Sequence, residues 1–208
     1  YWKILAQLPG DARALEMLDR YYRSEKRAED LRRLLEHRLE YASSDEARYA
    51  CLLELARVSE QLLNDEGDAT RRYFEALEIR ANDAALLAAL DRLCTTLERW
   101  EDLARVVEMR RDGAREESEN IEFTLRLAEL LALRLTQPLR ALQEFAQVLD
   151  RVPGETRALQ GVERLSLQDP SLAEQALPLL ERAYEGAGAH RALADLLQRR
   201  LALSSDPQ

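Results

Sequence analysis

The sequence predicts an all-α protein of stacked antiparallel helix pairs, and three observations predict it. Leu, Ala, Arg and Glu dominate the 208 residues, while Gly (7), Pro (6) and aromatics (6%) are scarce. That is a composition of helices rather than of sheets with tight turns. Apolar residues recur at spacings of three and four, whereas Val, Ile and Thr never alternate over a useful run. Finally, LDRYYRSEKRAEDL, from Leu18 to Leu31, returns 72 residues later as LDRLCTTLERWEDL, from Leu90 to Leu103, without a gap.

The period covers nearly the whole chain. LLELARVSEQLLNDEGDATRRYFEAL, from Leu52, aligns at the same offset with TLRLAELLALRLTQPLRALQEFAQVL, from Thr124. A third unit opens at Pro153 and needs one inserted residue to keep Leu179-Leu180-Glu181 in step. One domain is therefore expected over 1–208: the tail of a preceding repeat at 1–8, double repeats at 9–80 and 81–152, and a partial third unit at 153–208.

Each helix follows from its stripe. Residues 1–8 carry Tyr1, Ile4 and Leu5; 11–24 carry Leu15, Leu18 and Tyr22; 28–42 carry Leu31, Leu34, Leu35 and Leu39. Helices follow at 45–63, 67–80, 83–97, 99–113, 118–135, 138–151, 155–167, 171–185 and 189–203. The links (RSEKR, SSD, NDEGD, RAND, TQP, VPGE) are short and polar, so neighbours fold back antiparallel. Pro138 and Pro170 sit where first-turn prolines belong. Pro178 falls inside its helix, so a kink, a 3₁₀ segment or a shifted start is expected there, and Gly186-Ala187-Gly188 ends it. Helices of ~13–18 residues with one oily stripe bury it by stacking pair on pair, which makes a solenoid.

These residues resemble the tetratricopeptide repeat (TPR) family, over about 190 residues. Ala69, Tyr73, Ala76 and Ala81 hold the family's small, aromatic, small, proline spacing on and after the second helix, as do Ala141, Phe145, Val148 and Pro153. Leu55-Ala56 and Leu127-Ala128 match its first-helix Leu and small residue. Alternate copies depart from the pattern: Leu31 and Leu103 stand for Ala, Leu35 and Val107 for the aromatic, and Asp19, Asp91 and Glu163 for the small residue. A degenerate copy of 34 residues joined to a better one of 38 makes the unit of 72. The resemblance implies a right-handed α-α superhelical solenoid in a 72-residue double repeat. It also implies a concave face lined by the first helix of each pair, where a peptide or helix docks.

The remaining features exclude chemistry. There is no GxGxxG, GxxxxGK, HExxH or GxSxG. Cys51 and Cys94 lack CxxC spacing and read as small core residues, and His37 and His190 stand alone. Neither an enzyme nor a metal or cofactor site is expected. Trp2 and Trp100 read as packing residues. A net charge of −9 and a pI of about 5.0 give no global attraction to nucleic acid. No apolar run approaches the ~18 residues of a membrane span. All but Lys3 and Lys26 of the 30 basic residues are Arg, the bias of a GC-rich bacterial genome. The chain opens inside a helical pattern, as a piece of a larger protein would, so the compartment stays open, with the cytoplasm favoured over the periplasm.

The expected function is a non-catalytic scaffold for a protein or peptide partner, an acidic one among the candidates. The alternative is a structural spacer or targeting arm of a larger signalling, secretion or motility protein. End-to-end self-association is expected at Tyr1, Trp2 and Leu5 and at Leu193, Leu196, Leu197 and Leu201. Arg20, Arg92 and Arg164 recur at 72-residue steps, and Arg57 holds the equivalent place in an intervening copy. With Arg13, Glu16 and Arg157 they are the concave-face candidates that the resemblance implies. Guanidinium forks there suit a partner's carboxylates. Internal ion pairs, with glutamates such as Glu60 and Glu129, are the stronger reading for the arginines. The Lys and Asn of the family's carboxylate clamp are missing.

Overall fold

The computed structural model describes the backbone of residues 1–204 and the side chains of residues 1–198. Among the described residues there is no strand. Packing divides the chain into a first unit, Tyr1–Arg99, and a second beginning at Trp100.

The first unit holds α1 (Trp2–Leu5), α2 (Ala12–Ser24), α3 (Ala28–Glu40), α4 (Asp45–Gln61), α5 (Glu66–Ile79) and α6 (Ala84–Thr96). Each packs on its neighbour in sequence, α4 against α5 most extensively. The second unit holds α7 (Trp100–Gly113), α8 (Glu117–Leu133), α9 (Pro138–Arg151), α10 (Thr156–Gln168), a 3₁₀ turn η1 (Pro170–Leu172), α11 (Ala173–Gly186) and α12 (His190–Ser204). Here α8 also reaches α10, and α9 reaches α11. Within each unit this is the sequential, locally closed packing expected of stacked helix pairs.

The pairs are tetratricopeptide-like in how they close. Leu55, Ala56, Ala69 and Ala76 are fully buried between α4 and α5, and Leu127, Ala128 and Ala141 between α8 and α9. Side chains this small let two helix backbones approach, and the larger Tyr73 and Phe145 fill what remains. In the degenerate copies Leu31, Leu35, Leu103 and Val107 are buried all the same. Cys51 and Cys94 are buried, as expected of small core residues.

Helix ends follow local chemistry. Asp11 Oδ1 accepts from the Ala14 N–H at 2.7 Å, Asp83 Oδ1 from Ala85 and Leu86, and Asp65 Oδ1 from Asp68. At the C-termini of α2 and α6, Lys26 and Glu98 adopt φ 54° and the following N–H reaches back to Tyr22 or Cys94 at 2.9 Å. This Schellman closure usually recruits glycine. Asn64 and Thr136 take the same left-handed conformation after α4 and α8.

Three expectations shift. The first helix stops at Leu5 rather than residue 8, and the Gln7 and Leu8 N–H groups both turn back onto the Ile4 carbonyl ahead of Pro9. The start near 171 is a 3₁₀ turn whose Ser171 N–H donates to Asp169, but α11 then runs unbroken through Pro178. Pro178 and Glu174 are exposed, so the carbonyl that loses its partner lies on the solvent side of the helix. Trp2 and Trp100 pack less deeply than expected. Trp2 stays 40% exposed while donating to the Tyr22 hydroxyl at 2.8 Å, and Trp100 is half-buried beneath the Arg134 guanidinium, 4.7 Å from its ring centre.

At the ends, Tyr1, Ile4 and Leu8 are exposed while Leu5 is fully buried. Leu196 is buried, Leu193 half-buried and Leu197 exposed; the Leu201 side chain lies outside the described residues.

Candidate interaction surface

First helices bury one stripe and leave the opposite face to solvent, so residues two beyond a buried position emerge there. Leu18, Leu55 and Leu90 are buried, and Arg20, Arg57 and Arg92 two positions on are exposed. Arg13 and Glu16 are exposed on α2 as well. In the second unit Val162 is buried and Arg164 exposed, while Arg157 is half-buried near the start of α10.

These candidates separate into engaged and unengaged groups. Arg92 donates to Glu60, whose other oxygen accepts from the Tyr73 hydroxyl at 3.2 Å. Burial and then the Glu60 charge push the Tyr73 phenol up to about 12, so it stays a donor. Arg157 is held more tightly. Its Nε and Nη2 donate to Glu129 at 3.0 and 2.9 Å, and its Nη1 to Glu122 at 2.8 Å. The hydrogen bonds to Glu129 and Glu122 raise its pKa above the ordinary arginine value. Arg13, Glu16, Arg20, Arg57 and Arg164 have no hydrogen bond or ion pair among the described residues. The internal-pair reading therefore holds for two arginines of the ladder and its neighbours, not for the rest.

The acidic residues beside the rungs divide too. Asp19 binds Arg23 at 2.8 Å rather than Arg20, and Glu163 accepts from the Tyr184 hydroxyl at 2.7 Å rather than from Arg164.

Sequence reading missed the wider set of bridges between successive copies. Arg23 reaches Glu54 at 3.4 Å, Arg72 reaches Glu36 at 3.1 Å, Arg140 reaches Glu108 at 3.0 Å and Arg111 reaches Glu144 at 3.1 Å. Their partners lie 31 to 36 residues apart, close to one repeat length. That spacing is visible in the sequence, but among so many Arg and Glu residues it selects no particular pair.

The sharpest difference between the units lies where three helices meet. In the first unit, α4, α5 and α6 bring together Glu60, Tyr73 and Arg92. The equivalent α8, α9 and α10 bring together Ala132, Phe145 and Arg164 around a recess also lined by Leu133, Gly161 and Leu165. A Cβ on Gly161 would fall within 3.0 Å of three carbons of the Phe145 ring, so the ring lies directly on the α10 backbone.

No family model and no curated protein matches this chain. Among solved structures it is similar to a tetratricopeptide repeat protein from Parabacteroides merdae, with 16% identity, 95% of this chain and 82% of that one covered, and a TM-score of 0.43. It is also similar to the MamA protein (13% identity, 83% and 89% covered, TM-score 0.42) and to Pseudomonas aeruginosa PilF (18% identity, 77% and 69% covered, TM-score 0.42). At these scores the likenesses add nothing to what the helix packing itself shows.

Proposed function

We propose that the chain is a non-catalytic scaffold that binds a partner protein along the exposed faces of its first helices. The observation that carries this reading is the set of exposed, internally unsatisfied side chains there, Arg13, Arg20 and Arg57 in the first unit and Arg164 in the second. An exposed guanidinium costs little to leave hydrated and gains a charge-assisted fork when a carboxylate arrives. If the tetratricopeptide resemblance extends to the arrangement of the pairs, this face would line the inner side of the curve, where an extended peptide or helix of a partner would lie. An acidic partner fits best, because the unsatisfied groups are mostly cationic although the chain as a whole is anionic.

Affinity capture with the immobilised chain tests the reading, comparing it with the double variant Arg20→Glu/Arg57→Glu. Both sites are exposed and unpaired, so the variant should melt as the parent does while losing the captured partner. A partner retained equally by both would move the binding surface elsewhere. Reproducible capture of nothing would favour the spacer. End-to-end self-association through Tyr1, Trp2 and Ile4 is a lesser part of the proposal, and light scattering showing a strict monomer at high concentration would remove it.

A further inference from the structure

The recess between α8, α9 and α10 differs from its counterpart in where its polar groups fall: Glu129, Arg157 and Gln160 line it where the first unit has Arg57, Ala85 and Ala88, and Glu129 is taken up by Arg157. Glu60, Gln61 and Tyr73 of the first unit correspond to Ala132, Leu133 and Phe145 of the second, 72 residues on. Three side chains that would satisfy a cation have become apolar, but the cation itself remains as Arg164. The other arginine there, Arg157, is already held by Glu122 and Glu129. Arg164 has no partner among the described residues. Beside it the recess is apolar on one side, with the paired Arg157 and Glu129 on the other: Leu133 is 53% exposed, and Leu167, one turn along the same face of α10, is 77% exposed where the first unit has Thr95. Two large exposed leucines beside an unmatched guanidinium form a mixed patch rather than scattered surface residues.

We infer that this recess binds a segment of a partner protein that presents a Glu or Asp side chain beside an aliphatic or aromatic one. The carboxylate meets the Arg164 guanidinium, supplying from outside what Glu60 supplies to Arg92 internally. The apolar neighbour covers Leu133 and Leu167. Each part strengthens the other, because an apolar cover removes water and lowers the local dielectric around the ion pair. Gly161 keeps the floor low: its missing Cβ admits the tip of the Phe145 ring against the helix, where a larger residue would force the ring outward. This inference rests on the scaffold reading and adds the chemistry of one contact, confined to the second unit.

The test is a hexapeptide library in which Glu, Asp, Gln and Asn compete at one position flanked by Leu, Ile, Val, Phe or Ser, selected on the whole chain. Peptides joining an acid to an apolar neighbour should be enriched at least tenfold over their amide counterparts. Ala132→Glu, which restores an internal partner for Arg164 and fills the recess, should abolish that enrichment. Glu60→Gln, which frees Arg92 but leaves Gln61 and Tyr73 polar, should leave it unchanged. Should circular dichroism show that Ala132→Glu is unfolded, Arg164→Gln at its exposed position takes its place under the same criterion. No acidic enrichment, or enrichment that survives loss of the free Arg164 charge, overturns the inference. If Arg20→Glu/Arg57→Glu still releases a captured partner in that event, the scaffold reading stands without it.

Discussion

The α4–α5–α6 region of the first unit and the α8–α9–α10 region of the second share one register and hold themselves together differently. In the first, Tyr49 donates to Asp83 at 2.5 Å, Ser59 to Asp68 at 2.6 Å, and Tyr73 to Glu60 at 3.2 Å. Ile121, Leu131 and Phe145 replace those three donors in the second. Polar groups buried at a helix junction lock it only when each has its partner, and these three donors have theirs, although the buried Arg72 Nε makes no hydrogen bond. The second region replaces these three bonds by apolar packing and keeps its polar ties at Arg157, held by Glu122 and Glu129, while Arg164 is left with no partner among the described residues. One repeat framework thus pairs the arginine at this position internally in one place, as Arg92 with Glu60, and leaves it open in another, as Arg164.

The largest effect that would break the comparison is expected at Asp68. It accepts from Ser59, pairs with Arg71, and lies 3.6 Å from Arg72, whose side chain is only 12% exposed. Asp68→Asn should cost about 1–3 kcal/mol in urea unfolding, the usual loss when a hydrogen bond to a charged group is broken in a buried setting. Arg140 stands at the equivalent place, so no such change is available in the second unit.

The same carboxylates set a pH dependence. Burial acts to raise the Asp68 pKa, but the Ser59 and Arg71 hydrogen bonds and the Arg72 charge outweigh it and the pKa is lowered. Tyr49 and the α6 N-terminal amides lower that of Asp83 against its own burial. A lowered folded pKa means stability that is complete above the unfolded value of about 3.9 and lost as pH falls through the folded one. Amide exchange in α4–α6 should therefore accelerate on acidification below about pH 4 before that in α8–α10. Equal acceleration of both would show that these carboxylates do not govern the difference.

Gly161→Ala should cost about 1–3 kcal/mol by forcing Phe145 out of place, an overpacking penalty larger than the helix-propensity gain of Ala. The first unit already has Ala89 at that position, so Ala89→Gly should give only the smaller propensity loss of about 1 kcal/mol. Thr136 is a β-branched residue at φ 49°, where Asn64 stands in the first unit. Thr136→Gly should gain about 1 kcal/mol in thermal unfolding, and Asn64→Gly much less. Arg92→Glu sets a second carboxylate beside Glu60, whose side chain is only 17% exposed, and should cost about 1 kcal/mol. Arg164→Glu should leave stability unchanged.

The candidate surface was legible in part. Register and helical period put Arg20, Arg57, Arg92 and Arg164 on exposed faces, because two positions beyond a buried leucine or valine must turn outward. Which of them is engaged was not legible. Arg92 and Arg164 occupy the same repeat position, and only the residues on the two preceding helices, Glu60 and Tyr73 or Ala132 and Phe145, distinguish them. Likewise Asp19 and Glu163 adjoin rungs in sequence yet bind Arg23 and Tyr184 in space.

The sequence by itself determined the all-α class, nearly every helix boundary and the apolar stripes. These depend on spacings of three and four, on caps such as Asp11 and Asp83, and on links too short to do anything but reverse the chain. Only the tertiary structure decided the pairing of charges, the unbroken course of α11 through Pro178, and the recess beneath Arg164. Those depend on which side chains of non-adjacent segments come within a few ångströms, and a one-dimensional period carries no such distance.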